Sequence, residues 1–267
     1  MRIRADRLRD IVSVCESMVA TCQSAQVSSE RIFYAKVFFE KATSHGRSIC
    51  AFIRRLKEHE ESDAAGASAL ARSLIETHNI FLYLTEPGIS RSEREFRYGL
   101  MQLNQAVDLL RISAALGAGS KDFVFWQETS KTWSIAELEK NQVFLSLDER
   151  QRAHLLRGKN PYLQERYKGP RAFSKEIESA AYNLFSHSVH SYGLSTSYAG
   201  SATPAGLVNM LFLAVEISAI TLANLATRYR DLRLRTIGRA TEAEACLIAD
   251  ALSLRQLLDW QLSIGDN

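Results

Sequence analysis

Residues Ala64–Leu84 read AAGASALARSLIETHNIFLYL, an apolar run interrupted by Arg72, Glu76, Asn79 and Tyr83. At about 100° per residue these four fall within roughly 60° of one another and form one polar stripe on an otherwise oily helix. That stripe needs a partner. The best match lies at residues 179–193, SAAYNLFSHSVHSYG, where Tyr182, Ser186 and His190 recur at four-residue spacing. Successive four-residue steps turn a helix by only about 40° each, so a phenol, a hydroxyl and an imidazole share one ridge, with His187 on the neighbouring face.

The rest of the chain supports a helical reading. Proline is absent before Pro87, and the preceding residues hold only Gly46 and Gly66. Leu8, Ile11, Val12, Cys15, Met18, Val19 and Cys22 recur at i, i+3, i+4 and i+7, which predicts a first amphipathic helix. Ser28 or Ser29 caps a second, running through residues 31–59 with Gly46 inside it. Thr85-Glu86-Pro87-Gly88 stops the third, and Ser90 with Glu93 predicts a capping box for the fourth. Beyond it the stretch GAGSKDFVFWQE is less regular. The pairs Ser134/Glu137 and Ser146/Glu149 predict starts of short helices, and VFWQETSKTW has room for a short strand.

Residues 157–173 hold two of the four prolines and two glycines and read as a loop. A helix from Ser174 through His190 follows, then a polar linker over residues 193–203. There Thr203 would cap a helix that has Pro204 at its first position. The last two helices are expected over residues 205–234 and, capped by Thr241 with Glu244, to about Leu262. The expectation is an all-α, multi-helix bundle forming a single helical domain over residues 1–267, without internal repeats.

A chain of 267 residues with 46% apolar and 24% charged side chains is ordinary globular material, long enough for a substantial core. The net charge of +3 leaves acidic partners open without indicating a dedicated nucleic-acid binder. Cys15, Cys22, Cys50 and Cys246 have no C-x-x-C pairing and no His at ligand spacing, so reduced core thiols are expected. The opening MRIRADRLRD carries charges where a signal peptide needs an apolar core, which predicts a cytoplasmic protein. Residues 205–227 are about long enough to cross a bilayer. Glu216 at their centre, with Asn209, Asn224 and Thr227 alongside, predicts a buried helix with a polar edge and no membrane span.

Two readings of the stripe stand side by side. In one, Arg72 and Glu76 are an internal ion pair, since a buried arginine needs a counter-charge. In the other they are a site for an anionic group, because Arg preceding Glu is the less favourable i,i+4 order. In that reading Arg72 holds the anion, Glu76 orients it and His190 exchanges protons, while Asn79, Tyr182, Ser186 and His187 contact the ligand. The segment 150–175 interleaves Arg150, Arg152, Arg157, Lys159, Arg166, Lys168, Arg171 and Lys175 with aromatic residues, a composition that binds phosphates. Lys168 and Arg171 are its candidate ligand contacts. No metal site and no cofactor is expected: the pair His187 and His190 lacks a carboxylate at ligand spacing.

The combination A-R-S-L-I-E-T at Ala71 to Thr77 with the Tyr-x-x-x-Ser-x-x-x-His helix at Tyr182 to His190 resembles a family of bacterial helical proteins known only as a domain of unknown function. That resemblance implies an all-helical fold and nominates Arg72, Glu76, Tyr182, Ser186 and His190. A looser similarity is to the HEPN ribonuclease and toxin superfamily, whose bundles carry an Arg and a His four to six residues apart. Arg72 with His78 fits that spacing, and so does Arg54 with His59. His78 falls roughly 120° from Arg72, on the side of Leu74 and Leu82, where a histidine is more often packed than catalytic. The resulting expectation is a bacterial protein acting on RNA or a phosphate-bearing small ligand in stress or phage defence. The competing one is a non-enzymatic interaction protein, for instance a homodimer, whose polar cluster is structural.

Overall fold

The structure, a computed structural model, describes residues 2–57, 64–189 and 204–264. Among them it is all-α: eleven α-helices, one 3-10 turn and no strand. The helices are α1 Arg2–Cys22, α2 Glu30–Lys57, α3 Ala64–Thr85, α4 Arg91–Leu116, α5 Lys121–Lys140, α6 Gln142–Leu145 and α7 Glu149–Leu155. They continue with α8 Lys175–Val189, α9 Pro204–Leu232, α10 Leu234–Ile237 and α11 Glu242–Ile264. His59, His190 and the polar linker at 193–203 lie outside the described residues. The chain divides into two compact units, one formed by Met1–Phe81 with Pro170–Asn267 and the other by Leu82–Gly169.

In the discontinuous unit, α9 is the central element, in contact with α1, α2 and α11. Its residues Leu211, Val215, Ile220, Leu222 and Tyr229 are buried, and Ala214, Ala219, Ala223 and Ala226 between them let neighbours approach closely. Burial of each large side chain contributes about 1.5–3 kcal/mol. Tyr229 stacks on Phe39 of α2, ring centroids 4.2 Å apart. Gly46 of α2 is a contact point: a Cβ built there would lie 2.5 Å from Leu222 Cδ1 and 3.0 Å from Val12 Cγ2. Asn209–Leu232 is apolar enough to span a membrane, but 72% of its most apolar window is buried inside the protein, as in a core helix. Its charged residue Glu216 pairs with Arg4 of α1, Nε to Oε1 3.0 Å.

In the contiguous unit, α4 and α5 pack along each other. Ser90 and Ser120 cap their N-termini by accepting from Glu93 N and Phe123 N. Gly117 ends α4 in the left-handed region at φ 59°, where its lack of a Cβ removes the steric cost. Phe96, Leu100 and Leu103 of α4 meet Leu138 of α5, Phe144 of α6 and Leu155 of α7 in one apolar cluster.

Several local expectations are corrected here. Gly117–Ser120 is irregular as expected, but the Ser120 cap then starts one helix that runs from Lys121 to Lys140, so the rest of GAGSKDFVFWQE and all of VFWQETSKTW are helical and not extended. Ser134 therefore sits inside α5, fully buried, and caps nothing. The break comes at Asn141, whose side-chain oxygen accepts from Val143 N and Phe144 N. Helix α7 is capped by Asp148 with Gln151, a complete capping box, rather than by Ser146 with Glu149. Thr241 and Glu244 do form the reciprocal bonds predicted for α11. Of the four free cysteines, Cys15 and Cys22 are buried, Cys50 is half-buried and Cys246 is exposed, so the core assignment fails for Cys246. Burial pushes the Cys15 thiol up to about 12, which leaves it protonated and unreactive.

Candidate functional site

Helix α3 and helix α8 meet through Tyr182. Arg72 Nη2 donates to the Tyr182 hydroxyl at 3.0 Å, and that hydroxyl donates to Glu76 Oε1 at 2.8 Å. Arg72 Nε lies 3.4 Å from the same carboxylate oxygen, and the guanidinium carbon stands 4.9 Å from the Tyr182 ring centroid. Three side chains from positions 72, 76 and 182 thus close a ring of charge and hydrogen bonds, as the stripe and ridge required. The side chain of Arg72 is 26% exposed and that of Glu76 42%. This is a solvent-reached bridge, not an internal ion pair of the core.

The geometry sets the phenol's protonation. Burial raises the Tyr182 pKa first, the hydrogen bond and charge of Glu76 raise it further, and Arg72 opposes them. Tyr182 is held as a neutral donor towards Glu76 and an acceptor from Arg72. The arrangement can orient a guanidinium and a carboxylate; it does not make a phenolate.

The other nominated residues are distributed differently. Asn79 Nδ2 donates to Glu178 Oε1 at 2.8 Å, and Arg171 Nη1 reaches the same oxygen at 3.0 Å. Glu178, buried at 8% exposure, is thus the polar partner of the next turn of α3. It was readable as one more four-residue step back along the ridge from Tyr182. Ser186 Oγ donates to the Tyr182 carbonyl at 2.7 Å, a back-bond within α8 that ties its hydroxyl to its own helix. His187 is exposed in the last turn of α8. Tyr83 and Lys168 belong to the contiguous unit; Lys168 is exposed and its backbone N–H donates to Glu86 Oε1 at 3.3 Å. His190 lies outside the described residues.

His78 is packed, as its angular position predicted. It is 1% exposed, its Nε2 is 2.9 Å from Asn224 Oδ1 of α9, and burial lowers its pKa to about 4. Asn224 of α9 therefore serves His78, and Glu216 serves Arg4. Among the described residues no group of three or more His, Cys, Asp or Glu is placed to hold a metal.

The contiguous unit contains a charge network that the sequence reading missed. Arg97, 1% exposed, places Nε 2.7 Å from Glu93 Oε1 and Nη1 2.7 Å from Glu86 Oε2, and donates from Nη2 to the Arg166 carbonyl at 3.0 Å. Arg166 then grips Glu93 from the loop, Nη2 to Oε2 2.5 Å. Ser90 does cap α4, but the Glu93 side chain is turned to these arginines instead of back to the cap. Two guanidiniums and two carboxylates balance, which marks the network as structural. The spacing Glu93-x-x-x-Arg97 was its available signal.

No protein-family model, no curated protein and no solved structure matches the chain.

Proposed function

We propose that this chain is a helical protein that binds a phosphate-bearing partner, RNA or a nucleotide, through Arg72. The observation that carries this reading is the Tyr182 hydroxyl, held between Arg72 and Glu76 at 3.0 and 2.8 Å. A guanidinium already oriented by a carboxylate and a phenol, and still reached by solvent, loses less freedom on meeting an anion than a free surface arginine does. Arginine is also the side chain that matches phosphate oxygens two at a time. In this reading Glu76 and Tyr182 are positioning residues. Asn79 and Arg171, both bound to Glu178, stiffen the next turn. Proton exchange at His190, and with it turnover of RNA, is the further step of the same proposal. A bacterial role in stress or phage defence rests on the two sequence resemblances alone, and a cytoplasmic location on the charged opening residues MRIRADRLRD.

The test is titration of labelled single-stranded RNA and a nucleotide panel into the full chain, followed by product analysis. Arg72→Ala should weaken binding by about tenfold or more and Tyr182→Phe by a few-fold, since one charge-assisted contact is worth about 1.5–3 kcal/mol. Equal affinity in wild type and both variants, at unchanged helicity, would overturn the assignment. His190→Ala separates binding from turnover: it should keep affinity and lose product.

A second reading is favoured by a different observation. On α5, Phe125, Trp126 and Trp133 are 63%, 64% and 56% exposed. Aromatic side chains of this size are usually covered, and exposed ones concentrate at interfaces. Under this reading the chain is a non-enzymatic interaction protein and the Arg72 bridge only ties α3 to α8. Sedimentation of wild type beside Trp126→Ala with Trp133→Ala distinguishes it: a dimer lost in the double variant supports interaction, a monomer in both argues against self-association.

A further inference from the structure

A second feature of the contiguous unit carries an inference that does not rest on the Arg72 bridge. Helix α7 and the loop after it line a half-open cavity of about 580 Å³, a volume within the ordinary range for small-molecule sites. Its floor is apolar. Leu155 belongs to the core cluster at 2% exposure, and Leu147 and Leu163 pack on that cluster from the rim of the same cavity. Its walls are cationic. Arg150 and His154 stand one helical turn apart on α7 and therefore side by side, and Arg157 follows directly after the helix.

Arg91, Arg111, Lys131 and Lys140 all pair with an acid three or four residues away. Among the described residues Arg150 and Arg157 form no ion pair, although they border the same cavity. Arg166, also in the lining, is already spent on Glu93. The lining also holds two carboxylates, Asp148, which accepts from Gln151 N as the cap of α7, and Glu165. His154 is oriented as well: Asn160 Nδ2 lies 2.8 Å from its Nε2. With the amide nitrogen donating, the imidazole keeps its Nδ1–H as a donor.

We propose that this cavity binds a nucleoside monophosphate, with the phosphate on Arg150 and Arg157, the flat apolar base over Leu147, Leu155 and Leu163, and His154 donating to a polar atom of the ligand. A long polyanion would need a longer cationic track. A half-open cavity of this size, with two arginines in no ion pair and a leucine floor, fits one phosphate and one base.

The experiment is calorimetric titration of the full chain at low ionic strength with AMP, adenosine and inorganic phosphate. AMP should bind one per chain and more tightly than either fragment, because only AMP fills both halves of the site. Arg150→Gln and Arg157→Gln should each weaken AMP about tenfold, one charge-assisted contact apiece. Arg152→Gln, on the same helix but outside the lining, should leave affinity unchanged; Arg72→Ala is titrated beside it to separate this cavity from the Arg72 bridge. Thermal melting of all four variants at the wild-type temperature verifies that each is folded. Four outcomes overturn the proposal: no AMP binding up to about 1 mM, an equal loss in Arg152→Gln, AMP binding lost in Arg72→Ala but kept in Arg150→Gln, or binding of an RNA oligonucleotide with none of AMP.

Discussion

Arg166 holds the carboxylate of Glu93 from 73 residues along the chain, its Nε 3.1 Å from Oε1 and its Nη2 2.5 Å from Oε2. The same carboxylate receives Arg97, which is almost entirely buried and has Glu86 on its other side. A buried guanidinium with its counter-charges removed keeps its desolvation penalty and loses what offset it. Glu93→Ala should therefore destabilise the protein by about 3–5 kcal/mol in urea unfolding. Arg97→Met, which removes the ion as well as the pairing, should cost less than Glu93→Ala. The reverse order would mean the network is not the tie described.

Acid should loosen the same network. Burial alone would raise the Glu93 pKa, but the hydrogen bonds and charges of Arg166 and Arg97 outweigh it and hold it below the ordinary value of 4.5. A folded-state pKa lying below the unfolded one gives stability that is complete above pH 4.5 and is lost as pH falls below it. Glu93→Gln should flatten that part of the stability curve.

His78 gives a second and higher window. Its folded pKa of about 4 lies below the ordinary 6.5, so the unfolded chain binds the extra proton between those values. The neutral-histidine contribution is complete above pH 6.5 and declines as pH falls towards 4, by about 3 kcal/mol in all. Chemical unfolding at pH 7 and pH 4.5 measures it. His78→Gln, which can still bond Asn224, should remove the slope between these pH values; an unchanged slope would place its origin elsewhere.

At Gly46 two effects oppose. Alanine in a helix interior gains about 1 kcal/mol over glycine. The added Cβ, however, meets Leu222 at 2.5 Å and Val12 at 3.0 Å inside a filled core. Overpacking costs about 1–3 kcal/mol, so Gly46→Ala should lower the melting temperature by a few degrees. Combining it with Leu222→Ala should recover part of the packing penalty, a coupling that a double-mutant cycle reads directly.

Asn141 joins three segments. Its amide donates to the Ser92 carbonyl at 2.9 Å, its oxygen caps α6, and Ser92 Oγ donates to that oxygen at 3.2 Å. Asn141→Ala should cost about 1–2 kcal/mol, an ordinary cap loss plus one part-buried bond. Asn141→Asp keeps the cap and loses the donor to Ser92, so it should fall between alanine and wild type.

The helical fold was legible because apolar residues at helical spacing dominate α1, α2, α4 and the Ala64–Leu84 stretch. The pairing of α3 with α8 was legible for a related reason: a polar stripe on an oily helix has few places to go, and Tyr182 lay on the matching ridge. Helix α5 was not legible, because Phe125, Trp126 and Trp133 sit on its exposed side and blur its periodicity. The Arg97 network was hidden differently. Glu93 reads locally as a capping residue, and only the return of Arg166 across the fold shows where its charge goes. The solvent exposure of Arg72 could not be read either, since angular position fixes a face but not what covers it.

The division of the chain has a consequence for its synthesis. The unit at Leu82–Gly169 is one unbroken stretch, finished as it leaves the ribosome, whereas α1 and α2 rest on α9, which is made far later. At ordinary elongation rates of about 5–20 residues per second, the apolar faces of α1 and α2 stay uncovered for on the order of ten seconds while the intervening unit is made. Those first two helices, and not the Arg72 bridge, are where a chaperone would be needed and where truncated chains would aggregate first.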